Sequence, residues 1–357
     1  MRRLLCMISI VTLLSSCSDD GGGKPDAGPD LGGPDQRALD LAGADAPEPD
    51  GSPNPDQTID APGPVSAWTE MPSGAVDPIQ AIWGAGPGDV HAVGKNGLIL
   101  HYDGTSWSKM ASPQTNDLYA VWGVSATEVY AAGDEKIATY NGTKWVAGYE
   151  DPAYDIRDLW SAPGSSTIWA VGKLGGNICY KSGAGDPTGD WSAVYLYTTT
   201  SASMYGIWGA SDSEIYAVGD GGLVLKCSGT CTSVSSWSIM TTGVTTDLRD
   251  IWGFSSSDIF AVGLNGVVLH YDGTTWSKVT TGSSSYFHGV WGSSPTDVFA
   301  VGNPVFAPDE AIFRHDGSSW TKLPPPKSVA LHRVWGSSAT DVFAVGNFTI
   351  LHFDGTP

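Results

Sequence analysis

The sequence predicts an all-β protein: a seven-bladed β-propeller with four-stranded antiparallel blades, its ring closed by an N-terminal strand around Trp68. Three observations carry that expectation. First, the tryptophans form two interleaved series. One opens a repeated unit (Trp83, Trp122, Trp160, Trp208, Trp252, Trp291, Trp335) and the other closes it (Trp107, Trp145, Trp191, Trp237, Trp276, Trp320), with Trp169 in neither. Second, residues 68–357 divide by seven into units of about 41 residues, the size of a four-stranded blade. Third, the unit opened by Trp335 lacks a closing Trp, due about 24 residues later as between Trp83 and Trp107. Trp68 supplies one: it stands 15 residues ahead of Trp83, the usual spacing from a closing to an opening Trp.

Taken from the N-terminus, Arg2 and Arg3 precede an apolar stretch, residues 4–14, too short to span a bilayer. Residues 1–16 are expected to be a signal peptide. The run Leu14-Ser15-Ser16-Cys17 resembles the lipobox of bacterial lipoproteins, which implies acylation of Cys17. Ser18, in place of Asp, implies by the same resemblance the outer membrane or cell surface, with the anchor as the sole membrane contact. Residues 18–65 are nearly all Asp, Gly, Pro and Ala, without aromatics. Such a segment cannot bury enough apolar surface to offset its ordering entropy, so a disordered linker is expected. Residues 66–357 are expected to hold the propeller.

Within a unit the first serves as template: Ile82-Trp83-Gly84, then Asp89-Val90-His91-Ala92-Val93-Gly94, then Leu98-Ile99-Leu100-His101-Tyr102-Asp103-Gly104, then Trp107. Short β-branched and aromatic runs between Gly, Asn and Asp clusters read as four strands, A to D. Asn96-Gly97, Gly221-Gly222 and Asn265-Gly266 suit tight B–C turns; Asp103-Gly104 and Asp272-Gly273 suit tight C–D turns. The tryptophans are expected to pack between blades. Asp89, Glu128, Glu214, Asp258, Asp297 and Asp341 precede strand B, where they would cap turn amides. His101, His270 and His352 are expected to face solvent from strand C.

The formal charge is −20, and −22 without Arg2 and Arg3, so phosphate backbones are repelled and no nucleic-acid partner is expected. Cys227 and Cys231 flank Ser228-Gly229-Thr230 in a turn that an exported protein could staple with a disulfide. Cys179 occupies a position held by leucine in other units and is expected to be buried. No zinc-type ligand spacing accompanies the cysteines, so no metal and no cofactor are expected.

With its WG, AVG and YDG signatures in register over residues 66–357, the chain resembles the tryptophan-glycine repeat propellers of bacterial surface lipoproteins. A superficial likeness to the Asp-box (BNR) repeats of sialidases does not hold. There Asp and Trp are five apart, whereas Asp103 and Trp107, like Asp272 and Trp276, are four apart.

In propellers strand A lines the channel, and the D–A and B–C connections share the face that usually binds. The residue three before each opening Trp is therefore expected at the channel mouth: Gln80, Tyr119, Arg157, Tyr205, Arg249, His288 and His332. These are the candidate ligand-binding residues. The position before them is apolar in every unit, as a core position would be. Arg157 and Arg249 precede Asp158 and Asp250, with which local pairing is expected. His288 and His332 would sit on adjacent blades, but without a third histidine no metal is expected there. Two loops leave the template, the blade 3 C–D loop (residues 182–190) and the blade 6 B–C loop (residues 303–310).

These features point to a monomeric, membrane-anchored binding module recognising a protein or glycan at the mouth. The alternatives are a sialidase-like glycoside hydrolase, with Arg157, Arg249, Tyr119 and Tyr205 around its substrate, and a structural cell-envelope component. No catalytic residues are assigned. The chain carries no recurring carboxylate pair at the mouth, no nucleophile elbow and no phosphate loop.

Overall fold

The computed structural model describes residues 67–173, 177–183, 190–196, 199–306 and 311–355. The expected signal peptide, Cys17 and the linker lie outside these residues. So do parts of both loops that leave the template.

Seven blades form as the Trp series predicts. Blade 1 runs Ile79–Gly86, Asp89–Gly94, Ile99–Tyr102 and Trp107–Lys109, antiparallel in that order. Blades 4, 5 and 6 repeat it from Met204–Ser211, Leu248–Ser255 and Tyr286–Ser294. Blades 2 and 3 depart from separate sheets. Glu128–Tyr140 holds strands B and C of blade 2 in one run, and Trp145–Trp160 continues from the last strand of blade 2 into the first of blade 3, giving one six-stranded sheet.

Blade 7 holds Leu331–Ser338, Asp341–Gly346 and Thr349–Phe353, and its fourth strand is Trp68–Glu70. The register is Trp68 to Phe353, Thr69 to His352 and Glu70 to Leu351. The Met71 amide donates to the Ile350 carbonyl at 2.9 Å, and Thr349 Oγ1 donates to Glu70 Oε1 at 3.0 Å. Closure removes two sheet edges that would otherwise stay unpaired.

Each signature has a packing cause. An opening Trp lies against the glycine of the next blade's Trp-Gly pair. A Cβ on Gly123 would stand 2.2 Å from Trp83 Cη2, and one on Gly84 would stand 2.5 Å from Trp335 Cη2. Blade 3 has Ser161 where the others have glycine, and there Trp122 Nε1 donates to Ser161 Oγ at 3.2 Å. The glycine of the AVG signature passes under the segment leading into strand A: a Cβ on Gly172 would lie 1.9 Å from the Asp155 carbonyl oxygen.

Closing tryptophans meet the aromatic position of strand B in the preceding blade. Trp107 on Phe343, Trp191 on Tyr130, Trp320 on Phe260 and Trp68 on Phe299 are all edge-to-face, with centroids 5.8–6.4 Å apart. Trp68 is 1% exposed, so it fills a closing-Trp slot in full. Trp169, outside both series, is the strand B aromatic of blade 3, paired with Tyr180 at 5.2 Å.

The acids before strand B do something other than cap turns. In blades 1, 5 and 7, Asp89, Asp258 and Asp341 accept from His101, His270 and His352 at 2.7–2.8 Å. In blades 4 and 6, Glu214 meets Lys226 at 2.9 Å and Asp297 meets Arg314 at 2.6 Å. The strand C histidines are thus half-buried and paired rather than turned to solvent. His270 and His352 stack on Phe260 and Phe343, each pair with centroids 4.5 Å apart. Alternation puts strand B and C residues of one register on one face, so acid, ring and base form a unit. The turn roles fall to other residues: Asp103 Oδ1 accepts from the Thr105 and Ser106 amides at 2.9 and 2.8 Å. Cys179 is fully buried and Cys227 is bonded to Cys231.

Candidate functional site: the channel mouth

All seven residues expected at the mouth line one cavity of about 360 Å³: Gln80, Tyr119, Arg157, Tyr205, Arg249, His288 and His332. A backbone device puts them there. In every blade strand A slips register against strand B at this point, as between Leu118 and Ala120 or between Ile156 and Asp158. The mouth residue is the extra one, without a ladder partner. Such a bulge frees a side chain from strict alternation and re-aims it.

The seven side chains sort into neighbouring pairs. The Arg157 guanidinium lies 3.8 Å from the Tyr119 ring centroid, and that of Arg249 lies 4.0 Å from the Tyr205 centroid. His288 and His332 meet edge-to-face with centroids 6.3 Å apart, and His332 Nδ1 contacts the Ile79 carbonyl at 2.8 Å. Gln80 completes the ring on blade 1.

Neither arginine pairs with the aspartate that follows it. Arg157 bonds Asp155 at 2.7 Å and Arg249 bonds Asp247 at 2.9 Å, each two residues upstream. The bulge is the reason, since it turns Asp158 and Asp250 deeper into the channel. Arg157 Nε and Arg249 Nε are buried with no partner among the described residues. A donor in that state costs about 1–3 kcal/mol until an acceptor meets it.

Burial sets the protonation of the lining. It pushes the Tyr119 phenol up to about 12 and the Tyr205 phenol upward, so both stay neutral donors. Burial, then the nearby His332 and Arg333, pull His288 down to about 3; burial also lowers His332. The mouth at neutral pH therefore presents two stacked guanidinium groups, two phenols and two neutral imidazoles.

Three more residues line the cavity: Lys173, Asn303 and Arg333. Lys173 follows strand B of blade 3, and Asn303 ends strand B of blade 6, where the loop that leaves the template begins. Arg333 belongs to a position not singled out from sequence, two before each opening Trp. That position reads Ala81, Ala120, Asp158, Gly206, Asp250, Gly289 and Arg333. Small residues with two acids and one base were the available signal. Arg333 donates to the His288 carbonyl at 2.5 Å and to the Tyr205 carbonyl at 3.2 Å. Asp158 accepts from the Leu159 and Ile207 amides at 3.0 and 2.9 Å, and Asp250 from the Ile251 and Val290 amides at 2.9 and 2.8 Å. Burial raises both carboxyls, opposed by Arg333. The two acids line the narrower channel below, with Ile82, Val121 and Ile251, and not the mouth. They join strand A of one blade to that of the next.

The mouth face also exposes apolar groups on blades 6 and 7. Phe306, 84% exposed, lies three residues past Asn303, and Phe348, 55% exposed, sits in the blade 7 B–C turn at φ 58°. Left-handed backbone is unusual for a bulky residue.

No protein-family model matches this chain, and no curated protein matches its sequence. Its fold is similar to solved β-propellers. One is YCF48 bound to D1 peptide, at 16% identity and TM-score 0.64, covering 81% of this chain and 97% of that one. Another is streptogramin B lyase, at 12% identity and TM-score 0.65, covering 80% and 96%. The WD40 propeller domain of Doa1 is similar at 13% identity and TM-score 0.62, covering 81% and 96%.

Proposed function

We propose that this propeller is a binding module that takes a segment of a protein, or a glycan, into its channel mouth. One observation carries the reading: two tyrosine–arginine stacks on consecutive blades, each with a partnerless buried Nε, converge on one cavity. Stacked, clamped guanidinium groups are already ordered, so little rotamer entropy is lost when they grip an acceptor. Asp155 and Asp247 offset the charge of both arginines, which suits a polar segment of mixed character more than a polyanion. Exposed Phe306 and Phe348 on the same face favour a protein segment. The likeness to YCF48, seen with a peptide, is consistent with that use of a propeller.

Peptide and glycan arrays probed with the full chain test the reading. Binding by the wild type, lost in Arg157→Ala/Arg249→Ala, supports it; ligands held equally by the double variant would move the site elsewhere. The hydrolase alternative predicts turnover of chromogenic glycosides, lost in Tyr205→Phe.

The resemblance to tryptophan-glycine repeat lipoproteins and the N-terminal residues support a second part of the proposal: export, acylation at Cys17 and display on a linker of residues 18–65. A Cys17→Ala variant should leave the membrane fraction in a producing bacterium. Undiminished membrane partitioning would sink the anchor.

A further inference from the structure

The unit of acid, ring and base that recurs in the blades changes character in blade 1. Blades 5 and 7 place Phe260 and Phe343 beside their Asp–His pairs. Blade 1 keeps the pair, Asp89 with His101, but carries His91 at the ring position. His91 and His101 are direct partners across strands B and C, with ring centroids 4.8 Å apart. A phenyl ring asks nothing polar of this slot; an imidazole brings two nitrogens. His91 is fully buried, and neither nitrogen has a hydrogen-bond partner among the described residues.

We propose that Asp89, His91 and His101 bind a divalent transition-metal ion, with zinc as the best match. The donor atoms all lie within 4.8 Å of one another. Asp89 Oδ1 is 2.7 Å from His101 Nε2 and 3.6 Å from His91 Nε2. Zinc bonds of about 2.0–2.2 Å in a tetrahedron place donors roughly 3.4 Å apart, between those two separations. Two imidazoles and one carboxylate are a borderline N/O set that suits zinc and leaves a fourth position open to solvent. Asp89 and His101 are half-exposed, which gives an ion a way in. The Tyr140 and Trp145 rings close around His91, with centroids 5.2 and 5.6 Å away, and fix its orientation.

The site opens blade 1 strand B and ends its strand C, at the opposite end of the blade from the mouth, so it is independent of the proposed ligand site. Among the described residues it is the one group of three such side chains close enough to share an ion. Sequence reasoning passed over it because His91 sits within a repeated apolar strand.

Calorimetric titration of the tag-free, chelator-stripped full chain with zinc chloride decides the matter. One equivalent is expected, with affinity lowered at least tenfold in His91→Phe. That variant installs the residue of blades 5 and 7, so it should fold; its thermal midpoint in chelator should match or exceed wild type. Zinc should raise the wild-type midpoint and not the variant's. His270→Ala, which removes the blade 5 pair, should leave the stoichiometry at one. Zinc binding unchanged in His91→Phe, lost in His270→Ala, or absent from the wild type at micromolar zinc would overturn the assignment.

Discussion

Two rings of seven positions are built on the same repeated backbone and follow opposite rules. The ring position of strand B reads His91, Tyr130, Trp169, Tyr216, Phe260, Phe299 and Phe343; the bulge position of strand A reads Gln80, Tyr119, Arg157, Tyr205, Arg249, His288 and His332. The first must fill a slot between its own strand C and the closing Trp of the next blade, so a flat ring recurs. The second faces an open channel where packing imposes no volume, and its chemistry varies. Regularity within a chain thus marks where packing dictates the residue, and irregularity marks where a ligand can. The exception within the regular ring is informative: His91 breaks its rule and yields the candidate metal site.

Four perturbations would break or sharpen this comparison. The largest effect is expected from deleting residues 67–71, which strips blade 7 of its fourth strand and removes Trp68 from its slot. Cooperative unfolding should be lost, and a circular permutant that returns the strand to the C-terminus should restore it. A permutant that stays unfolded would count against closure.

Next comes Arg333→Ala, which leaves Asp158 and Asp250 buried without their cation. The Arg333 charge opposes the burial of both acids, so its loss is expected to destabilise the fold most where they are ionised. Both carboxyls are already raised by burial, and a raised acid destabilises the fold as pH climbs through the window above its unfolded value. The deficit should therefore shrink between pH 7.5 and pH 5 in urea titrations. Equal deficits at both would contradict the burial argument.

A smaller effect is expected from Gly123→Ala, whose methyl would meet the Trp83 ring at 2.2 Å. Overpacking costs about 1–3 kcal/mol, whereas Tyr205→Ala at the mouth should cost under about 1 kcal/mol. Comparable losses would erase the distinction between the two rings.

The effect that is smallest at neutral pH, and grows only as pH falls, concerns His288. Its folded value near 3 lies below the ordinary 6.5, so the unfolded chain takes up a proton first as pH falls. Its contribution to stability is full above about 6.5 and declines toward 3. His288→Leu should flatten the slope of stability against pH in that window by up to one proton. An unaltered slope would show that the imidazole is not held neutral.

Much of the site was legible because strand period and repeat phase give the facing of every equivalent position. Counting three back from each opening Trp reached seven lining residues of one cavity. Arg333, Lys173 and Asn303 were not reached. Arg333 belongs to a position whose other members are mostly small, and Lys173 and Asn303 sit at the ends of strands whose exits vary in length. The pairing of Arg157 with Asp155 rather than Asp158 was also out of reach, because the strand A bulge leaves no mark in an alternating pattern.

Spacing alone determined the number of blades, the identity of the closing strand and the packing role of the tryptophans, since each follows from a period that must bury the same face seven times. Only the tertiary structure decided which side chains meet across blades and across strands. Tyr119 and Arg157 are 38 residues apart, and His91 and His101 are ten apart on paired strands. Their contact depends on ring curvature, register and bulges, quantities set by the closed assembly rather than by any local run of residues.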